Sequence, residues 1–184
     1  GLVQQILHYS TNTHSKMFVN QLYGGADTIG MLGDFLTTFL NTSGATYEIS
    51  PVFTLMEKEI INKMLDQFGI SAKKYPDRNG VMVPGGSISN IYAFHCARTH
   101  KYPNLNTGGM YLTTPLKVFC SDQAHYSAKK AMMFTGLGSN HLITIPTDEK
   151  GVMLVDELEK AIKNHQPNPM MVIATAGSTV TGAF

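Results

Sequence analysis

Apolar residues recur at helical spacing between Asp27 and Asn41, at Ile29, Leu32, Phe35, Leu36, Phe39 and Leu40. That stripe predicts an amphipathic helix, closed by the Asn41-Thr42-Ser43-Gly44 break. A second helix is predicted from Ser50, where a hydroxyl stands at the N-cap position and Pro51 at the first helical one. Phe53, Met56, Ile60, Met64 and Phe68 form its apolar stripe, and Gly69 its stop. Residues 1–25 carry little regular pattern and read as an irregular lead-in, and residues 71–80, with Pro76 and Gly80, read as a loop.

From Val81 the pattern alternates. Val81-Met82-Val83 is a short extended run, and Ser87 to about His100 a helix. Strands are predicted at Leu116–Cys120, Leu142–Ile145 and Met170–Ala174. Helices separate them at about Ala124–Thr135 and Val155–Asn164, the latter closed by Pro167. Strands alternating with helices of this length imply βαβ units. The expected fold class is therefore α/β, a mostly parallel sheet with helices on both faces.

Composition narrows the partners. Hydrophobic residues make up 43% of the 184, enough for a core, and charged residues 15%, low for a self-sufficient soluble domain. Other parts of a larger protein, or a partner subunit, are expected to cover the surplus apolar surface. The net charge is +1 and no basic run exceeds Lys73-Lys74 or Lys129-Lys130, so no nucleic-acid partner is expected. Cys96 and Cys120 lie in apolar runs without a CxxC, and read as buried free thiols of a reducing, cytoplasmic compartment, with no metal site. No apolar stretch approaches the roughly 18–20 residues of a spanning helix, so no membrane partner is expected. No signal peptide is evident, and Gly1 suggests a trimmed start.

Three segments carry the chemistry. In Pro84-Gly85-Gly86-Ser87-Ile88-Ser89-Asn90 two glycines let the backbone approach an anion, and Ser87, Ile88 and Ser89 offer amides at a helix start. The bland alternative is a glycine-rich turn with a serine cap. His125 follows a strand directly, where an imidazole can stack on a planar heterocycle and manage protons. Core or surface roles suit the other six histidines better. Ala174 to Gly182 leaves a strand as a Gly/Ser/Thr loop, in which Thr179 could bond a ring substituent or a phosphate, or simply belong to a polar strand exit. All three meet where open α/β sheets bind phosphorylated ligands, at the carboxyl ends of strands.

In order, spacing and wording these segments resemble the pyridoxal-phosphate-dependent decarboxylases of the glutamate and cysteine-sulfinate decarboxylase group. The likeness extends over Phe18-Val19-Asn20-Gln21-Leu22, Thr46 to Phe53 and His125-Tyr126-Ser127-Ala128-Lys129-Lys130-Ala131. The resemblance implies the large domain of the fold type I pyridoxal-phosphate enzymes, incomplete in this chain. Residues 1–50 would be a lead-in and helix at a homodimer interface, and 51–184 the N-terminal portion of that domain. By similarity Ser87, Ile88, Ser89 and Asn90 lie around the phosphate of pyridoxal 5'-phosphate, His125 stacks on its ring as the catalytic residue, and Thr179 touches the cofactor. Ser178 replaces the threonine usual there and keeps the hydroxyl. The family's cofactor lysine and its ring-pairing aspartate would lie beyond Phe184, and Lys129 and Lys130 read as a solvated helix face.

The implied reaction is decarboxylation of a small acidic amino acid by a longer enzyme. Gln21 would lie in the substrate mouth near the substrate carboxylate. Tyr23 is bulky, as in the cysteine-sulfinate and aspartate branch, where the glutamate decarboxylases carry a small residue. Cysteine sulfinate or aspartate is therefore favoured over glutamate. Two other readings stand beside it: an aminotransferase of the same fold, and an inert piece with only a binding role, since this segment alone should not catalyse.

Overall fold

A computed structural model describes residues 1–19, 24–110 and 114–184. Its contacts divide the chain into two units, Gly1–Gly80 and Val81–Phe184.

The first unit is helical. Helix α1 spans Leu2–Tyr9, where an irregular lead-in was expected. Leu2, Val3, Ile6 and Leu7 do lie on one helical face, but eight residues are too few for a periodic signal to stand out. Helix α2, Thr28–Leu40, starts on Asp27, whose carboxylate accepts the Gly30 amide at 2.7 Å, and ends on Asn41 in the left-handed region at φ +46°. Helix α3 spans Pro51–Gln67. Ser50 precedes it as expected, but its buried hydroxyl does not cap the helix; it lies 3.2 Å from the Thr42 hydroxyl. The apolar stripe of α3 also differs from the expected one. Met56, Ile60 and Met64 are exposed, while Glu57, Ile61 and Leu65 form the half-covered line. The 70–80 loop folds over that line: Gly80 comes close to Ile61, and the Arg78 guanidinium bonds the Asp66 carboxylate and the Ile70 carbonyl. That guanidinium also holds the Asp66 carboxyl below its ordinary range.

The second unit alternates as the sequence predicts. Helix α4 spans Gly86–Lys101, followed by the short α5, Leu105–Gly108. Then come strand β1, Lys117–Ser121, helix α6, Ser127–Phe134, and strand β2, Leu142–Ile145. Helix α7, Val155–Asn164, and strand β3, Pro169–Ile173, complete it. Val81-Met82-Val83 forms no strand. The three strands lie in the order β2-β1-β3 and both pairings are parallel, with Val118 opposite Leu142 on one side and Met171 on the other.

This order dictates the layers. The chain steps from β1 one way to β2, then back across β1 to β3. Two right-handed crossovers in opposite directions put their helices on opposite faces of the sheet. The side chains of β1 agree. Val118 packs in a cluster with Phe94 of α4 and Ala131 and Met132 of α6. Phe119, which must point the other way, meets the ring of His165 after α7 edge-on, at 5.9 Å. Val118, Phe119 and Cys120 are at most 2% exposed, so both faces of β1 are covered. Cys120 is thus buried as expected, and burial pushes its thiol pKa up. Cys96 is exposed instead. It lies two residues from Phe94 on α4, some 200° around the helix, so the burial of one turns the other outward. Among the described residues no helix is long and apolar enough to cross a membrane.

Phe94, 1% exposed, joins α4 to the sheet. Phe94→Ala should cost about 3–5 kcal/mol of stability, the usual range for a buried phenyl. Urea unfolding of the complete protein followed by circular dichroism measures it.

Candidate functional site

Because every pairing in the sheet is parallel, the carboxyl ends of β1, β2 and β3 share one edge. In a 2-1-3 order the binding crevice belongs between the carboxyl ends of β1 and β3. A cleft of about 200 Å³ lies there, lined by Ala124 and His125 after β1 and by Ile173, Ala174 and Thr175 at the end of β3. Ser127 and Ala128 of α6 and Asn90 of α4 close it. A neighbouring hollow of about 190 Å³ runs from Ser121 to Phe184 and has no titratable side chain in its lining.

The β1–α6 connection explains the placement of His125. Residues 122–126 make a tight turn rather than the first turn of a helix, so α6 begins at Ser127, later than the sequence pattern suggests. The turn is held by His125 itself, whose Nδ1 lies 3.2 Å from the Ser127 amide nitrogen and 2.8 Å from the Ser127 Oγ. Ser127 is 3% exposed, and its Oγ also takes a hydrogen bond from the Asn90 side-chain amide at 2.7 Å. Residues 37 apart in sequence are thereby joined across the cleft. The His125 ring is otherwise exposed, with Tyr126 tilted beside it at 4.1 Å between centroids.

The start of α4 is the second feature. Gly85 has φ +104° and ψ 161°, a conformation open essentially to glycine alone, and it delivers the chain into the helix. No side chain caps the helix. The Ile88 and Ser89 amides both turn back to the Gly85 carbonyl, whereas those of Gly86 and Ser87 precede the first intrahelical bond. A Cβ at either Gly85 or Gly86 would meet nothing within 4 Å, so the turn itself is uncrowded.

The predicted residues distribute unevenly over this geometry. Asn90 and His125 meet at the cleft, while Ser87 and Ser89 are exposed and Ile88 half-buried on the first turn of α4, outside the cleft lining. Thr179 is exposed in the turn that follows Ser178 and does not line the cleft; Thr175 does. Ser178 is buried and organises its own loop, its Oγ 2.6 Å from the Thr181 hydroxyl and bonded by the Ala183 amide. Gln21 and Tyr23 lie outside the described residues. Lys129 and Lys130 are exposed, with Lys130 over the Tyr126 ring at 4.5 Å. Ser127 and Thr175 were not singled out from the sequence. Their only signal was proximity to His125 and to a strand end.

The pyridoxal-dependent decarboxylase conserved domain matches residues 2–184, nearly the whole chain. The chain belongs to that family. It is 41% identical to rat cysteine sulfinic acid decarboxylase over 182 residues, 97% of this chain and 36% of that protein. It is 44% identical to Drosophila melanogaster glutamate decarboxylase, again over 97% of this chain and 35% of the relative. The crystal structure of mouse CSAD superposes with a TM-score of 0.91 at 40% identity, over 98% of this chain and 37% of that one. The chain therefore spans a little over a third of these relatives. The Oryza sativa TDC structure with PLP and tryptamine, at 22% identity and a TM-score of 0.74, shares the fold.

Gly85 and Gly86 separate space from backbone. Both have room for a methyl group, but only Gly85 has a positive φ. Gly85→Ala should therefore cost about 1–3 kcal/mol in strain and disturb the start of α4, whereas Gly86→Ala should be close to neutral. Thermal melts of the two variants of the complete protein make the comparison.

Proposed function

We propose that this chain is the N-terminal part of the large domain, residues 51–184, and the preceding interface segment, residues 1–50, of a pyridoxal-5'-phosphate-dependent decarboxylase. Its substrates are small acidic amino acids, and it works as a cytoplasmic homodimer. The observation that carries the reading is the coincidence of His125, the open start of α4 and the β1/β3 cleft at one sheet edge. Relatives named as decarboxylases of cysteine sulfinic acid, glutamate and acidic amino acids support the substrate class. The homodimer is supported by α2, whose Ile29, Phe35 and Phe39 are 66–85% exposed in a single chain.

The donor set suits a phosphorylated aromatic cofactor. The uncapped amides of Gly86 and Ser87, at the positive end of a 16-residue helix, suit a phosphate, and the hydroxyls of Ser87 and Ser89 stand on the same turn. Ile88 and Asn90 flank it, and the imidazole of His125 offers a flat face to a pyridine ring. Thr179, on the loop after β3 and outside the cleft lining, is kept as a cofactor contact by resemblance. When bound, pyridoxal phosphate supplies the electron sink for the charge left as carbon dioxide departs. The protein's share is positional. The α4 turn would hold the phosphate end, His125 would set the plane of the ring and hold a proton at its imidazole, and Gln21 would bind the substrate carboxylate. Tyr23 is the bulky side chain that we assign to substrate choice, by resemblance to the cysteine-sulfinate branch.

His125→Ala in the complete enzyme should leave the core intact, because the side chain is exposed, and loosen only the turn it ties to Ser127, yet weaken cofactor binding and cut turnover about 10²–10⁴-fold. Steady-state kinetics and a cofactor titration test this; near-normal turnover would remove His125 from the site.

Substrate choice follows from Tyr23. One methylene in a shaped pocket is worth about 1–3 kcal/mol, roughly 10–200-fold in specificity. The complete enzyme should thus prefer cysteine sulfinate or aspartate to glutamate, with Tyr23→Ser moving the ratio towards glutamate. A competition assay on the three acids with both proteins decides it, and a ratio indifferent to Tyr23 would withdraw the assignment.

A further inference from the structure

The hydrogen bonds around His125 have a direction, and one of them cannot be reversed. A backbone amide only donates, so the Ser127 N–H pointing at His125 Nδ1 from 3.2 Å makes Nδ1 an acceptor. In the neutral ring the proton must then sit on Nε2. With Nδ1 accepting, the Ser127 hydroxyl 2.8 Å away has to donate to it as well. The Ser127 oxygen, its own proton spent, is left with lone pairs, and the Asn90 amide at 2.7 Å fills one of them with an N–H. This also settles the orientation of the Asn90 side chain. The chain of donors runs from Asn90 through Ser127 to His125, and it is anchored in a hydroxyl only 3% exposed.

We infer that Ser127, backed by Asn90, is a positioning residue that fixes the plane and the Nε2–H tautomer of His125. The inference rests on the proposed cofactor site, and it changes one part of that reading. Asn90 serves the imidazole through Ser127, in addition to any contact with the phosphate. The ring needs such a device because it has little other restraint among the described residues: His125 is exposed, and Tyr126, tilted beside it, is exposed too. Two bonds to Nδ1, one from the backbone and one from a buried hydroxyl, leave neither ring rotation nor the alternative tautomer free. A donor is then presented at Nε2, in the plane of the ring, with the face left free.

The test uses the complete protein and two readouts. In the cofactor-free protein, selective ¹⁵N labelling of histidine, assigned by loss of a signal in His125→Gln, reports which ring nitrogen carries the proton. Wild type should show it on Nε2. Ser127→Ala keeps the 3.2 Å backbone bond to Nδ1 but loses the hydroxyl one, so it should raise the minor Nδ1–H fraction and weaken pyridoxal phosphate binding, read by fluorescence titration, about 2–10-fold, the worth of one ordinary hydrogen bond. Ser127→Thr, which keeps the hydroxyl, should restore the wild-type tautomer. Asn90→Asp has the same shape but can only accept, so it should draw the hydroxyl proton away and shift His125 in the same direction as Ser127→Ala. This variant carries the decision if Ser127→Ala does not fold. A wild-type proton on Nδ1, or a Ser127→Ala protein with unchanged resonances and affinity, would overturn the inference. The underlying site reading fails separately, through a His125→Ala protein that binds the cofactor normally. A costly His125→Ala beside a silent Ser127→Ala removes the positioning role alone.

Discussion

Coverage of β1 on both faces is the constraint on which the second unit depends. Val118 faces α4 and α6, Phe119 faces the end of α7, and each is sealed from water. Burying a side chain of that size contributes about 1.5–3 kcal/mol, so a strand covered on one face only would forfeit much of the stability of the sheet. Meeting the requirement with right-handed crossovers forces the chain out to β2 and back to β3. The crevice between β1 and β3 follows from that route. The site is where it is because the core is built as it is.

The cleft is assembled from the places where regular structure stops. β1 ends at Ser121, and α6 begins after five intervening residues; the turn between them is closed by His125 bonding the first amide of the new helix. The same side chain thus ends one connection and faces the crevice. α4 arrives through Gly85, whose backbone conformation sets the direction of the helix and leaves its first amides uncovered. Asn90, one turn further on, is pinned to Ser127 and so links α4 to α6 at the rim, while Phe94, Ala131 and Met132 link the same two helices in the interior. Polar and apolar contacts between α4 and α6 therefore keep the two halves of the site at a constant separation.

Much of the first unit, by contrast, satisfies little of its own apolar surface. Phe35 and Phe39 of α2 are 66% and 85% exposed, and Met56 and Met64 of α3 about half. A chain with 15% charged residues leaves few polar groups to stand in their place. None of these positions lines the cleft.

The local sequence determined the elements that have strong periodicity or clear punctuation. Leu142–Ile145 was legible to the residue, Val155–Asn164 nearly so, and the span of α2 to within one residue at each end. Glycines, small hydroxyls and one histidine at strand ends marked the neighbourhood of the site, and the family likeness supplied the chemistry. The tertiary structure decided what local pattern cannot encode. Whether Met56 or Glu57 lies on the covered side of α3 depends on where the 70–80 loop folds, and whether Cys96 is buried depends on which side of α4 meets the sheet. The partnership of Asn90, Ser127 and His125 is of the same kind. It spans 37 residues, and no periodicity or spacing announces it. It exists because the burial of Phe94 and Met132 against one sheet face brings the first turns of α4 and α6 to the same edge.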